Sequence, residues 1–346
     1  MSSKYNIAIF TSEYRRVKWW LSQHIQTLEF FLKEKSNVFI FIPKKIYFLN
    51  NSSVIRQILA SLKWQLISLF RRWHFDILNI HTWPWGVIFF PFFSSWKVYC
   101  TCHHTYYQQI HFMKQWYKYL FFPFENFLYH FSDRIITVSQ STKNALVQHY
   151  KVDSKKISIL ENFCNIASLG QKNFNRKKFS LLFVWRLDAR KNPIFCLYLV
   201  KELLNRGYNF TLDIVGDGTL FDLCKEKIAY LWLSDKVFLH WTISNKQKID
   251  LMRHSEYLIV PSIFEGQWIV CLEGISCNMC VLCNDTDWLR DVCAPSNLFT
   301  SLEKLVIKII SLSSHNYLYN EAVSCNLPYI LSKDHFKKKL FTTYDL

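Results

Sequence analysis

Two cations and two carboxylates in the second half of the chain have the types and spacing to handle an activated, doubly charged group. Arg186 and Lys191 lie in R-L-D-A-R-K, directly after the apolar run Leu181-Leu182-Phe183-Val184. A run that short and that fully apolar reads as a strand buried on both faces. Cations just past the carboxyl end of a central parallel strand stand where α/β sheets bind ligands. Arg presents a planar fork of donors and Lys a compact point charge, so the pair suits a dianion such as a diphosphate. Taken alone, R-x4-K reads more readily as a pair of solvated loop cations. Further on, Tyr257 to Val260 repeats the apolar strand, and a turn carries Glu265 and Gly266. Glu273 follows Glu265 with seven residues between. If a helix begins at Ile269, Glu265 sits in the loop before it and Glu273 about one turn in, so both can face one crevice. A carboxylate accepts two hydroxyl hydrogen bonds and therefore matches a vicinal diol of a ribose or hexose.

Positioning these residues requires alternating strands and helices, and the chain has them. In the first half, strands are expected at Tyr5–Phe10, Val38–Ile42, Asp76–Ile80, Lys97–Cys102, Arg134–Val138 and Ile157–Leu160. Helices are expected over 17–35, over 54–73, between Met113 and His130, and around Asn144. The polar, basic stretch Ala167–Lys178 reads as a linker. Beyond it, strands are expected at Leu181–Val184, Phe210–Val215, Val237–Leu239, Tyr257–Val260 and Cys280–Asn284. A helix is expected from about Asn192 to Arg206, with further helices near Leu302–Ile310 and Pro328–Leu340. The alternation argues for an α/β protein with two doubly wound parallel sheets.

Bulk properties agree with two domains. The chain has 346 residues, half of them hydrophobic, with 30 Phe but only seven Gly. The formal charge of +16 is confined to the first half. Residues 1–178 hold 24 Lys and Arg against 8 Asp and Glu, whereas the remainder holds 18 of each. A basic half implies an anionic partner such as nucleic acid, an acidic glycan or a membrane surface. No nucleic-acid module appears, so nucleic acid is not the expected partner. Eleven Cys without a signal sequence read as reduced cytoplasmic thiols. No run of about 18 or more apolar, uncharged residues is present to span a bilayer.

The stretches R-L-D-A-R-K, D-I-V-G-D-G-T-L and V-P-S-I-F-E-G-Q-W-I-V-C-L-E-G-I-S-C, in that order between Phe179 and about Val292, resemble the carboxyl-terminal domain of family 4, group 1, GT-B-fold retaining glycosyltransferases. The resemblance implies two Rossmann-like domains facing across a cleft. Residues 1–170 would be the acceptor-side domain and 171–325 the nucleotide-sugar domain, with 326–346 a helix crossing back to the first. It implies transfer of a sugar from a UDP- or GDP-sugar to a glycan or lipid-linked acceptor with retention, in polysaccharide or lipopolysaccharide synthesis. Arg186 and Lys191 would neutralise the leaving diphosphate. Glu265, with Gly266 beside it, would face the donor sugar, and Glu273 would hold the ribose. Gly216 and Gly218 would wall the nucleotide. His103, at the end of V-Y-C-T-C-H-H, would contact the donor sugar from the first domain. In such a mechanism the leaving phosphate takes the acceptor's proton, so no metal or other cofactor is expected.

Departures from the family pattern cluster at glycines. The loop after the first strand, Thr11 to Arg16, has none; Trp185 precedes Arg186, and Trp268 and Asp287-Trp288 also stand at glycine positions. Asn162-Phe163-Cys164-Asn165 stands where N-G-V-D is usual. These losses keep open an alternative, a catalytically weakened relic serving as a membrane- or glycan-binding subunit. His103 and His104 pair with no third ligand at sensible spacing, so no zinc site is expected there. Cys277, Cys280 and Cys283 run from a helix end into a strand and read as core thiols. The aromatic stretch His111–Phe131, with Lys114 and Lys118, reads as either a buried helix pair or a face resting in a membrane interface. The latter would place the protein peripherally on the inner face of the plasma membrane.

Overall fold

Short apolar runs become buried strands because a parallel sheet covered on both faces leaves no water-facing side. The computed structural model describes residues 5–11, 20–41, 75–81, 97–164, 175–264, 268–329 and 332–346. It divides into two units, Met1–Phe163 with Lys333–Leu346, and Cys164–Ser332. Among the described residues each unit holds one six-stranded sheet whose neighbouring strands all run parallel.

In the first unit the strands are β1 (Tyr5–Phe10), β2 (Ser36–Phe41), β3 (Ile77–His81), β4 (Lys97–Cys102), β5 (Arg134–Thr137) and β6 (Ile157–Ile159), in the spatial order β2-β1-β3-β4-β5-β6. The chain reverses direction across the sheet between β1 and β3, which is its switch point. Helix α1 (Trp20–Leu32) buries Ile25, Leu28, Phe31 and Leu32, one face at helical spacing. Helices α2 (Tyr106–Met113), α3 (Phe122–Phe131) and α4 (Gln140–Tyr150) follow. A helix at Lys333–Thr343 completes this unit, burying Phe336, Leu340 and Phe341, with Phe336 against Phe31 at 5.4 Å between ring centroids. Beyond that helix, Asp345 accepts from Tyr99 Oη at 2.9 Å and pairs with Lys97 and Arg134.

In the second unit the strands are β7 (Lys177–Val184), β8 (Thr211–Val215), β9 (Val237–His240), β10 (Ser255–Val260), β11 (Cys280–Asn284) and β12 (Leu298–Phe299), ordered β12-β11-β10-β7-β8-β9. The chain winds outward from β7 through β9, then returns to β10 on the other side of β7. The switch point therefore lies between β7 and β10. The helices are α5 (Pro193–Asn205), α6 (Phe221–Tyr230), α7 (Asn245–His254), α8 (Ile269–Ser276), α9 (Leu302–Ser314) and α10 (Asn316–Ser324). Pro193 opens α5, where its missing N–H costs nothing. Alternate residues of β7 face opposite cores: Leu181 and Phe183 join Leu197 and Val200, while Leu182 and Val184 join Met252 and Leu272.

The expected strands of both halves are present, most with ends moved by one or a few residues. Lys177 and Lys178, expected in the linker, already belong to β7. The expected helix over 54–73 lies outside the described residues. β12, α6, α7 and α10 were not anticipated, and the helix expected from Pro328 begins at Lys333.

Candidate functional site

β7 ends at Val184, and the loop after it is built by backbone pairing with the β8–α6 turn. Trp185 N–H donates to Val215 O at 3.1 Å, Leu187 N–H to Asp217 O at 2.7 Å, and Leu220 N–H to Leu187 O at 2.9 Å. So close an approach has no room for side chains. A Cβ on Gly216 would come 1.9 Å from Trp185 O, and one on Gly218 2.4 Å from Leu187 O. Both glycines also have positive φ, 149° and 151°. Gly216 and Gly218 thus brace the loop that carries Arg186, which is exposed.

Lys191 closes the same loop. Its N–H donates to Asp188 O at 3.1 Å and to Asp188 Oδ1 at 3.0 Å, so Asp188 shapes the turn into α5. The Lys191 side chain is buried, with Nζ 5.4 Å from the Trp185 ring centroid, a cation–π distance. Trp185, at a position expected to be glycine, is therefore the floor on which Lys191 lies. Arg190 ties this loop across the switch point: its carbonyl accepts from Ile263 N–H at 2.9 Å, and its guanidinium reaches Phe264 O at 3.4 Å. Arg190 and Arg186 look alike in R-L-D-A-R-K; the structure uses the first as a stitch and leaves the second exposed.

Glu273 sits just over one turn into α8, the helix that follows β10, and is buried. Both of its oxygens are held by Lys248 Nζ of α7, at 2.5 and 2.7 Å. Burial pushes the Glu273 pKa up, and Lys248 pulls it back. An ionised carboxylate has about four acceptor sites, so the lysine leaves room for a diol. Lys248 was missed because no helix was expected over N-K-Q-K-I-D-L-M and its partner lies 25 residues away. Glu265 and Gly266 lie outside the described residues. Trp288 stacks edge-on against Phe264 at 4.7 Å, so the loops after β10 and β11 pack through an aromatic pair.

His103 lies in the first unit, directly after β4. The register pairs His81 of β3 with Thr101 of β4, so His103 falls beside His81, with His81 Nδ1 3.3 Å from His103 Nε2. His24 of α1 completes a group in which one ring nitrogen of each residue lies within 4.8 Å of the others. All three are buried. Linear spacing gave His103 no third ligand; His24 and His81 stand beside it by tertiary contact, which spacing does not record. Burial lowers the pKa of all three, His24 to about 4. His24 Nδ1 meets Asn162 Oδ1 at 3.0 Å, and His81 Nε2 meets Asn79 Nδ2 at 3.2 Å. Among the described residues, His24 Nε2 and Asn162 Nδ2 are buried without a hydrogen-bond partner.

Just past this cluster, Thr105 caps α2, and Glu125 of α3 accepts from Tyr106 N–H at 2.9 and 3.1 Å. Glu125 also accepts from Tyr129 Oη at 2.9 Å and from Tyr150 Oη. Its burial raises the pKa to about 7 against these bonds. Cys277, Cys280 and Cys283 are buried in the core. The histidine trio is the one metal-competent group among the described residues. Part of the aromatic stretch is at the surface: Trp116, Tyr117, Tyr119, Leu120 and Phe127 are exposed, whereas Leu128 and Tyr129 are buried.

Two family models match, end to end. Glycosyltransferase Family 4 covers residues 29–168, and Glycosyl transferases group 1 covers residues 167–312. The chain is 32% identical over 162 residues to the N-acetylgalactosamine-N,N'-diacetylbacillosaminyl-diphospho-undecaprenol 4-alpha-N-acetylgalactosaminyltransferase of Campylobacter jejuni, covering 46% of this chain and 43% of that protein. It is 27% identical over 227 residues to an O-antigen chain mannosyltransferase of Salmonella typhimurium, covering 60% of this chain and 62% of that protein. The matched region thus spans less than two thirds of either relative. The fold matches sucrose-phosphate synthase of Thermosynechococcus elongatus with a TM-score of 0.80 at 12% identity, over 99% of this chain and 98% of the other.

Proposed function

Because the chain belongs to the Family 4, group 1 glycosyltransferases of GT-B fold, we propose that it moves a sugar from a nucleotide-diphosphate sugar to a glycan or lipid-linked acceptor, with retention of configuration. The observation that carries this reading is the braced loop at the β7 end. It offers an exposed Arg186 and a buried Lys191 beside the switch point, where a doubly wound sheet binds its ligand. Two preorganised cations stabilise a diphosphate most as it departs and its charge grows. Glu273 supplies acceptor sites for the ribose; the donor-sugar roles expected of Glu265, Gly266 and His103 are part of the same proposal. The departing phosphate oxygen takes the acceptor's proton, so the step uses no metal and no cofactor.

The acceptor side draws on the exposed aromatics of residues 116–127 with Lys114 and Lys118. Aromatic rings interleaved with lysines suit an anionic bilayer surface, and lipid-linked glycans reside there. The proposed association is peripheral, on the cytoplasmic face; among the described residues no helix is long and apolar enough to cross a membrane. Flotation with anionic vesicles at physiological salt tests it; protein left at the bottom of the gradient refutes it.

The relic reading draws on Trp288, whose ring packs on Phe264 where the family usually has glycines. One experiment separates the two. Nucleoside diphosphates are screened for a rise in Tm, and the one that binds is then supplied as its sugar conjugates in hydrolysis and transfer assays. Transfer supports the enzyme. Nucleotide binding with no turnover of any conjugate supports the relic, and no stabilisation by any nucleotide overturns the donor-site assignment.

A further inference from the structure

The buried imidazoles of the first unit are more polar machinery than a fold needs. We propose that His24, His81 and His103 form a binding site for a divalent transition metal of the zinc class. Three converging imidazoles are a ligand set such ions prefer. With Zn–N bonds near 2.0–2.1 Å, two ligands on a tetrahedral ion sit about 3.3–3.4 Å apart. His81 Nδ1 and His103 Nε2 already have that separation, at 3.3 Å. One ring nitrogen of each of the three lies within 4.8 Å of the others, so a third ligand has at most about 1.5 Å to close. His24 Nε2 is a buried atom left without a hydrogen-bond partner among the described residues.

The surroundings are those of a ligand set. A metal-bound histidine donates its other N–H to an acceptor, which fixes tautomer and ring orientation. Asn162 Oδ1 does this for His24 Nδ1. Asn79 does it for His81 once its amide is turned over, which keeps every contact satisfied. The Asn79 carbonyl then accepts from His81 Nε2–H and Tyr344 Oη–H, and its NH2 donates to Thr101 Oγ1. Three histidines leave a fourth tetrahedral position for a water or an anion.

The test uses the full chain, stripped with chelator and titrated with Co2+ under visible absorption, since Co2+ reports coordination number by its intensity. The proposal expects one Co2+ per chain, an intense low-coordinate spectrum, and its displacement by Zn2+. His24→Gln is expected to abolish that spectrum. Asn162→Ala, which removes no ligand, is expected to weaken Co2+ binding about 10–100-fold; it decides the matter if the first variant does not fold. His149→Gln, an exposed histidine stacked with His111 around Tyr107, is expected to change nothing. A pale six-coordinate spectrum, binding unaltered in both cluster variants, or loss in His149→Gln overturns the proposal. None of these readouts depends on sugar transfer.

Discussion

Lys248 Nζ holds both carboxylate oxygens of Glu273, at 2.5 and 2.7 Å, in a pair whose side chains are 16% and 6% exposed. The pair locks α7 to α8 at the point where α8 presents its acid. Two charges withdrawn from water gain little over a well-packed apolar pair, but removing one partner strands the other.

Lys248→Met is therefore expected to cost about 3–5 kcal/mol, read as a lower urea midpoint at unchanged slope. The double variant Lys248→Met with Glu273→Leu is expected to regain most of that loss. Equal destabilisation of the single and double variants would show that packing, not charge, holds the helices together.

Arg186 is exposed, so its removal should spare the fold. Arg186→Ala is expected to lower kcat/KM with the donor by about 10²–10³ while Tm stays unchanged. A loss of Tm that parallels the loss of rate would make Arg186 structural.

Gly216 and Gly218 have no space for a methyl group, the intruding atoms being backbone rather than movable side chain. Gly216→Ala and Gly218→Ala are each expected to destabilise by about 1–3 kcal/mol and to shift the Arg186 loop. Nucleotide affinity, measured by calorimetry below the lowered Tm, should fall in both.

Glu125 gives a pH dependence of definite sign. Its carboxyl, ringed by Tyr106, Tyr129, Tyr150, Cys102 and Lys118, is raised from 4.5 to about 7. The folded chain therefore keeps a proton that the unfolded chain has released. The contribution is full below about pH 4.5 and is lost as pH rises through about 7, a change of about 3 kcal/mol. Urea unfolding of wild type minus Glu125→Gln should show that decline; a difference independent of pH would contradict it.

Chelation separates the two roles given to the first unit. Transfer is expected to survive treatment with EDTA, because the proposed step needs no metal, and to fall on adding Zn2+, which would claim His103. Activity lost with EDTA and restored by Zn2+ would put the ion in the reaction instead.

What the sequence revealed follows from what stays local. R-L-D-A-R-K was legible because an apolar run and its cations are contiguous, and β7 forms from that run. Glu273 was legible because its spacing from Ile269 sets its place on a helix. Arg190 drew no reading, since its stitch to Ile263 joins loops far apart in sequence. The histidine trio depends on the β3–β4 register and on α1, none of which spacing encodes. β12, with two residues, is too short to show any period.

The helix Lys333–Thr343 and the residues after it belong to the first sheet's own unit, where Tyr344 and Asp345 meet Asn79 and Tyr99. A ribosome building this chain must therefore emit the entire second unit before the first can be sealed. Through that interval the early half waits with open seats for Phe336 against Phe31 and for Tyr344 beside β3 and β4, exposed to whatever chaperone or protease reaches it. The order of synthesis and the order of completion run opposite to each other.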